Sequence, residues 1–313
     1  MKCFSKGWIL ILILCLGLFL TACSSGESAN HASDGKIKIV TTIAQIAEPL
    51  QVIGGDLVEV NSLMGPSVDP HLYNATHGDI TKIAGAELVF YNGLNLEANM
   101  VGIFEEMKAA KPVVAVGDAV PEELLLKDEK GSVDPHIWFD LELWKLALDE
   151  AVKELQKYAP ERSDLLAKNK EAYFAKMDDL SEESKKLSEI PVEHRYLVTA
   201  HDAFGYFGRM HDLEVIGLQG LSTDSEIGVS DIRSTIEIIK QYNVPAVFVE
   251  SSINESSIKA VIEGAREEGV DVELGGQLYS DAMGKAGTEE GTYLGMYRHN
   301  VKTIYEALMG GVN

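Results

Sequence analysis

Cysteine is confined to the first 23 of the 313 residues. The chain has three cysteines, Cys3, Cys15 and Cys23, and none follows them. Once a leader of 22 residues is removed, the chain can form no internal disulfide, and its folded part offers no thiolate as a metal ligand or as a nucleophile. The stability of that part must therefore come from burial of apolar side chains.

Positive charge is also scarce. The chain has 27 Lys and Arg against 49 Asp and Glu, a net charge of −22, and removal of Lys2 and Lys6 with the leader makes it −24. Such a surface repels nucleic acid and attracts cations without selectivity, so we expect no nucleic-acid partner. There is no Gly-rich phosphate loop and no Gly-x-Ser-x-Gly elbow, so nucleotide binding and serine-hydrolase chemistry have no local support.

The first residues have the order of a secretory signal. Lys2 and Lys6 precede an apolar run at residues 8–20, and small residues follow it up to Cys23. The run is shorter than the roughly 20 residues that a membrane-spanning helix needs, and a polar stretch comes after it. We therefore predict a removable signal peptide over residues 1–22.

Leu20-Thr21-Ala22-Cys23 also resembles the bacterial lipobox, in which the cysteine becomes the first mature residue and carries a lipid. Acyl chains would hold the protein at the membrane surface, because each buried CH₂ contributes about 0.8 kcal/mol. We predict lipidation of Cys23 and a flexible tether over residues 23–35. The alternative is an ordinary signal in which this cysteine is coincidental.

From about Lys36, short β-branched or apolar runs alternate with longer amphipathic segments. This alternation is typical of βα units with parallel strands, and the chain length suits two lobes of similar plan. The predicted strands are Ile37–Thr41, Val58–Leu63, Glu87–Tyr91, Val113–Val116, Tyr196–Thr199, Glu214–Gly217, Ala246–Glu250 and Val270–Leu274. We expect an α/β fold with two lobes, each built on a four-stranded, mainly parallel sheet with flanking helices.

A segment rich in Ala, Leu, Glu and Lys separates the two groups of strands. Pro160 suits the first turn of a helix, where its missing N–H is not needed, and helical spacing continues to about Ser188. We predict one long linking helix over residues 159–189, between an N-terminal lobe at 36–158 and a C-terminal lobe at 190–313. A coiled-coil arm is the alternative, although the apolar positions keep no strict heptad.

The sequence Val-Asp-Pro-His occurs twice, at residues 68–71 and 133–136. Proline fixes its own φ and restricts the residue before it, so each histidine follows a rigid turn. Turn chemistry alone is one explanation of each copy. The repetition favours His71 and His136 as metal ligands.

His201 and Asp281 both follow predicted strands of the second lobe. Ligands of open α/β sheets bind outside the carboxyl ends of the strands, which favours His201, although a core histidine is the alternative. Asp281 lies in a loop after two glycines, where an acidic residue is usually just solvated. Spacing alone does not single it out.

Taken together, these motifs resemble the metal-binding solute receptors of manganese, zinc and iron ABC importers, and most closely the manganese-binding lipoproteins of bacilli. The similarity covers nearly the whole chain. It is carried by the lipobox and by the segments 69–73, 134–140, 201–207, 217–226 and 279–281.

The resemblance implies four metal ligands, His71 and His136 from the first lobe and His201 and Asp281 from the second. It also implies two four-stranded α/β lobes joined by one long helix. The partners would be an ABC permease with its cytoplasmic ATPase, and the protein would be a monomer held by its lipid on the extracytoplasmic face of the membrane. It would be a receptor and not an enzyme.

The cargo of such a site would be one divalent transition metal. Three imidazoles and one carboxylate offer no soft ligand, and Asp281 supplies hard oxygen that could bind through both atoms. The loop over residues 122–132 lacks the His-rich tract of many zinc-specific relatives. We expect Mn²⁺, with Zn²⁺ as the chief alternative because its intrinsic affinity is higher, and Fe²⁺ third.

Two other functions stay open from the residues alone. A metallohydrolase would need a general base beside an open coordination position, for which Glu250 or Asp202 are candidates. An adhesin would not need the metal site for uptake. Glu250 ends a strand and is a candidate for orienting a ligating imidazole, with an ion pair as the alternative. We expect Trp138 and Phe139 in the core, and the remaining histidines, His77, His194, His211 and His299, as structural or surface residues.

Overall fold

The computed structural model describes residues 35–310. The predicted signal peptide, Cys23 and all but the last residue of the predicted tether lie outside the described residues. From Ile37 onward, the contacts between residues define one unit that holds both predicted lobes. None of the helices within residues 35–310 is long and apolar enough to cross a membrane.

The first lobe is built on a four-stranded parallel sheet. Its strands, in the spatial order β2-β1-β3-β4, are β1 (Ile37–Thr41), β2 (Val58–Ser62), β3 (Leu88–Tyr91) and β4 (Val113–Ala115). Helices α1 (Ala44–Gly54), α2 (His77–Gly85) and α3 (Val101–Met107) accompany it. Every residue of β3 is buried, which is typical of a central parallel strand covered on both faces.

Two long helices follow the first sheet. Helix α4 (Leu141–Tyr158) is capped by Asp140, whose side chain accepts hydrogen bonds from the N–H groups of Glu142 and Leu143. Helix α5 (Ser163–Ser184) is extended at both ends by tighter 3₁₀ turns, Pro160–Arg162 and Lys185–Glu189. It packs against α1 and α4. The predicted linking helix is confirmed, and its first turn, Pro160–Arg162, is 3₁₀.

The second lobe repeats the plan of the first. Its strands, in the spatial order β6-β5-β7-β8, are β5 (Tyr196–His201), β6 (Glu214–Gln219), β7 (Ala246–Glu250) and β8 (Glu273–Leu278), all parallel. Its helices are α6 (Gly205–His211), α7 (Val229–Tyr242), α8 (Ser256–Glu267) and α9 (Tyr293–Leu308). Helix α9 contacts α5 and α1 as well as β8. The expected α/β class with two four-stranded sheets is confirmed.

The last strand differs from its prediction by several residues. It begins at Glu273 instead of Val270 and continues through Gly275 and Gly276 to Leu278, whereas the predicted strand ends at Leu274. A Cβ atom on Gly275 would lie 2.6 Å from Cε1 of Phe248 and 2.9 Å from Cβ of Ala307. The glycine therefore allows strand β7 and helix α9 to approach β8 closely.

One apolar core runs through both lobes. Phe139, just after the first lobe's second Val-Asp-Pro-His, stacks on Phe204 of the second lobe with ring centroids 4.6 Å apart. Hydroxyl groups of the second lobe donate to backbone carbonyls of the first: Tyr293 to Trp138 at 2.7 Å, and Tyr297 to Phe139 at 3.2 Å. As expected, Trp138 and Phe139 are fully buried. This contact fixes the position of one sheet relative to the other.

Candidate metal centre

Four side chains from separate parts of the chain meet between the two sheets. Nε2 of His71 lies 3.3 Å from Nε2 of His136, and Oδ1 of Asp281 lies 3.4 Å from the latter atom. Oδ2 of Asp281 lies 3.1 Å from Nε2 of His201 and 3.7 Å from Nε2 of His71. One donor atom from each residue lies within 4.8 Å of the other three, and all four residues are buried. The structure thus brings together all four residues expected to bind metal.

The first lobe positions its two histidines with the same local turn. In each copy of the motif, the aspartate two residues earlier accepts a hydrogen bond from the histidine N–H at 2.9 Å. Only the second copy also holds the ring, because Nδ1 of His136 donates to Oδ1 of Asp134 at 2.7 Å. This contact directs Nε2 of His136 into the cluster. The sequence reading missed the role of Asp134, although its repetition in the motif was visible.

His201 ends strand β5, two residues further along the strand than predicted. Glu250 ends the neighbouring strand β7; its Oε1 accepts the N–H of His201 at 2.9 Å, and its Oε2 lies 2.6 Å from Nδ1. A Cβ atom on Gly217 of strand β6 would lie 2.6 Å from the carbonyl carbon of His201. Strand β6 therefore needs a glycine at position 217, because any side chain there would clash with the backbone of His201.

Asp281 lies on a loop that both lobes hold. The carbonyl of Ser280 accepts from Nε1 of Trp138 at 3.1 Å and from Nε2 of Gln45 at 3.3 Å. On the other side, Asn300 of helix α9 exchanges two hydrogen bonds with the backbone of Tyr279. These contacts aim the carboxylate between the three imidazoles. Trp138 also contacts His136, with ring centroids 5.3 Å apart.

The carboxylate of Asp281 is buried, yet neither of its oxygens accepts a hydrogen bond from any described residue. Buried polar atoms nearly always have a partner, so such an atom requires an explanation. A cation held by the four side chains would satisfy both oxygens. For four ligands in a tetrahedron at about 2.1 Å from a metal, neighbouring donor atoms are about 3.4 Å apart. The separations between Asp281 and the histidines, 3.1–3.7 Å, match this spacing.

The charges of the cluster are strongly coupled. Burial lowers the pKa of His71 to about 3, helped by the charges of His136 and His201 and opposed by Asp281. Burial also acts against charge on His136, but Asp134 and Asp281 outweigh it and raise the pKa to about 9. Burial opposes charge on His201 as well, and Glu250 with Asp281 raises its pKa well above the usual value. Burial would raise the pKa of Asp281, whereas the three histidines hold it well below its usual range.

A cleft between the lobes leads to the cluster. Its volume is about 400 Å³, and of the four residues only His71 lines it. Backbone and side chains of Asn95, Pro135, Gly220 and Ser222 form parts of its walls. The cleft therefore reaches the cluster on the His71 side.

The remaining histidines of the described chain lie apart from the cluster. His77 is exposed at the start of α2. The others donate to or share hydrogen bonds with structural partners: His194 with the carbonyl of Leu308, His211 with the hydroxyl of Tyr297, and His299 with the carbonyl of Gln277. Their separation agrees with the structural or surface roles expected for them.

Two α/β lobes, a long helix between them and a buried cluster of three histidines and one aspartate are the features of a solute-binding receptor for a metal ion. The family model described as ZnuA, zinc-uptake complex component A, periplasmic, matches residues 39–307. The chain belongs to this family of periplasmic metal-binding receptors. The resemblance inferred from the motifs is confirmed, and the protein is a receptor and not an enzyme.

Individual relatives cover almost the whole chain. The manganese-binding lipoprotein MntA of Bacillus subtilis (strain 168) is 46% identical over 291 residues, which is 92% of this chain and 95% of the relative. The manganese ABC transporter substrate-binding lipoprotein PsaA of Streptococcus mitis is 31% identical over 310 residues, covering 96% and 98%. The solved structure of the periplasmic zinc-binding protein TroA from Treponema pallidum has a TM-score of 0.86 and 43% identity, and covers 88% of this chain and 99% of that one.

Proposed function

We propose that this protein captures one divalent transition metal with His71, His136, His201 and Asp281, and delivers it to an ABC importer. The observation that carries the proposal is the buried carboxylate of Asp281, which has no hydrogen-bond donor among residues 35–310 and is surrounded by three imidazoles. The cage has four protein ligands, which suits holding and releasing an ion, whereas catalytic zinc keeps a position for water. Glu250 faces His201 and not the cavity, so it is not placed as a general base.

Manganese is the proposed cargo. Both oxygens of Asp281 face the cluster: Oδ2 lies 3.1 Å from Nε2 of His201, and Oδ1 lies 3.4 Å from Nε2 of His136. The carboxylate can therefore bind an ion through two hard atoms. Relatives named for manganese, MntA and PsaA, support this choice, whereas TroA is named for zinc. Zn²⁺ is the chief alternative and Fe²⁺ the third. Because nitrogen and oxygen ligands intrinsically bind Zn²⁺ more tightly than Mn²⁺, zinc affinity alone does not identify the cargo.

The proposed location is the extracytoplasmic face of the membrane, with a lipid on Cys23 as the anchor. MntA and PsaA are both named lipoproteins. In this chain, Cys23 ends the segment Leu20-Thr21-Ala22-Cys23, which resembles a lipobox. The proposed partners are a permease and its cytoplasmic ATPase, since a receptor of this kind hydrolyses no nucleotide itself. We propose that the receptor works as a monomer, with boundaries at 36–158, 159–189 and 190–313.

The metal content of the protein tests the proposal. The chain is purified without chelator, its metals are measured, and it is titrated with Mn²⁺ and with Zn²⁺. We expect one equivalent of metal, and an affinity more than about a hundredfold lower in Asp281→Asn, because loss of even an outer carboxylate costs 10- to 100-fold.

The control variant is Asp56→Asn, which makes the same change of charge at an exposed position of the first lobe. It should bind metal as the native protein does. Reversible binding of Mn²⁺ would support manganese, and binding of Zn²⁺ alone would identify a zinc receptor. Absence of stoichiometric metal in the native chain would refute the proposed site and function together.

A further inference from the structure

The two copies of Val-Asp-Pro-His use their aspartates differently. Asp134 holds both the N–H and the ring of His136. Asp69 holds only the N–H of His71, and its second oxygen accepts a hydrogen bond from Oγ1 of Thr223 at 2.6 Å. Within residues 35–310, no carboxylate pairs with Nδ1 of His71. The position of His71 therefore depends on a contact with the other lobe.

Thr223 lies in the loop between β6 and α7, and only 7% of its surface is exposed. The loop is held by Gln219, whose amide donates to the carbonyls of Thr223 at 3.2 Å and Ser225 at 2.6 Å. Gln219 is the last residue of β6 and pairs in register with His201 on β5. The hydroxyl of Thr223 is thus fixed by the pair of strands that presents a ligand of the second lobe.

This hydrogen bond lies beside the route to the metal centre. His71 is the only ligand that lines the cleft, and Gly220, Leu221, Ser222 and Ser225 of the Thr223 loop line it as well. An ion that leaves through the cleft must pass between these two segments. The contact from Thr223 to Asp69 joins them.

The other ligands are held by different contacts. Trp138 and Gln45 hold the loop of Asp281 to the first lobe, Asp134 holds His136, and Glu250 holds His201. Separation of the lobes as rigid bodies would break the contacts of Trp138 and Gln45 with the Asp281 loop and the aromatic core between the lobes. Displacement of the His71 segment would break the hydrogen bond from Thr223 to Asp69 and the longer one, 3.4 Å, from Nδ2 of Asn99 to the carbonyl of His71.

We propose that Thr223 and Asp69 are positioning residues that hold His71 on the metal ion, and that release begins when their hydrogen bond opens. The inference rests on the proposed function, since it assigns the control of that same site. Loss of His71 leaves three ligands on the ion and opens the coordination sphere toward the cleft. An importer could then obtain the ion by a local change, while the lobes keep their shared core.

The test is the rate at which the metal-loaded protein gives up Mn²⁺, and separately Zn²⁺, to an excess of chelator in stopped flow. Thr223→Val removes the hydroxyl at nearly constant volume and should release metal about 10- to 100-fold faster, because a hydrogen bond to a charged group is lost. Thr223→Ser keeps the hydroxyl and should release metal at close to the native rate. Thr223→Ala should behave like Thr223→Val.

Thr235→Val is the matched control. Its hydroxyl, also buried in the second lobe, donates to the carbonyl of Asp231 at 2.9 Å within helix α7 and is not placed at the site. This variant should release metal at the native rate. The melting temperatures of the metal-free proteins show whether each variant is folded.

The proposal is overturned if Thr223→Val and Thr223→Ala, both folded, release metal at the native rate, or if Thr223→Ser is as fast as Thr223→Val. In the second case, packing and not the hydroxyl holds the loop. If the native chain binds no metal, the proposed function fails first. If Asp281→Asn abolishes binding and the Thr223 variants match the native rate, only the present inference fails.

Discussion

Replacement of Glu250 by Gln would remove one negative charge next to His201 without changing the shape of the side chain. In the native protein, the two carboxylate oxygens serve different groups: Oε1 accepts the backbone N–H of His201 at 2.9 Å, and Oε2 lies 2.6 Å from ring atom Nδ1. A metal ion on Nε2 requires the ring proton to be on Nδ1. Glu250 would therefore stabilise the tautomer that the proposed metal ion needs.

Gln can satisfy only one of these two groups. If its oxygen accepts from the backbone N–H, its NH₂ group faces the N–H of the ring, and two donors meet at 2.6 Å. If the amide turns over, the backbone N–H of His201 loses its acceptor in a fully buried position. Outer carboxylates of this kind contribute 10- to 100-fold to metal affinity, and we expect Glu250→Gln to weaken binding by about 1.4–2.7 kcal/mol.

The assay is competition for Mn²⁺ and Zn²⁺ with a chelator of known affinity, together with thermal unfolding of the metal-free protein. Glu183→Gln serves as the control, because it removes the same charge from helix α5, where Glu183 forms an exposed ion pair with Arg298 of helix α9. The control should bind metal as the native protein does. A folded Glu250→Gln variant with an affinity within about twofold of the native value would refute the orienting role of Glu250.

Two further predictions concern protons and the Asp281 loop. The raised pKa values of His136, about 9, and of His201 indicate that a metal ion competes with protons for these rings. Metal binding should thus release protons and weaken as the pH falls from 9 to 6, as calorimetry in buffers of different ionisation enthalpy would show; affinity independent of pH would contradict this. Trp138→Phe removes the donor to the carbonyl of Ser280 and should weaken metal binding by about 0.5–1.5 kcal/mol in titrations, whereas an unchanged affinity would show that Gln45 alone holds the Asp281 loop.

The sequence predicted the order of strands and helices well because parallel strands buried on both faces appear as continuous apolar runs. It placed β8 three residues too early, since Gly275 and Gly276 look like a turn. Their place inside a strand follows from contacts with Phe248 and helix α9, which are distant in the chain. Local pattern carries no information about such contacts.

The candidate site was accessible from the sequence to different degrees. A repeated motif identified His71 and His136, and a strand end suggested His201, whereas Asp281 depended on the resemblance to known receptors. Asp134 was within reach, because it lies two residues before the histidine that it holds. The role of Thr223 could not be predicted from the sequence, because 154 positions separate it from Asp69 and no local pattern marks the pair.

The aromatic contact between the lobes also has a consequence for how the metal selectivity of such receptors evolves. Trp138, Phe139, Phe204, Tyr293 and Tyr297 belong to one core, and two hydroxyl groups cross it to the opposite backbone. A lobe produced alone would expose this aromatic surface to water, so the two lobes should unfold in a single transition. Replacement of one lobe by that of a distant relative should destabilise the protein, because the aromatic surfaces would no longer fit each other. Such an architecture favours evolution of selectivity by single substitutions around the ion over recombination of whole lobes.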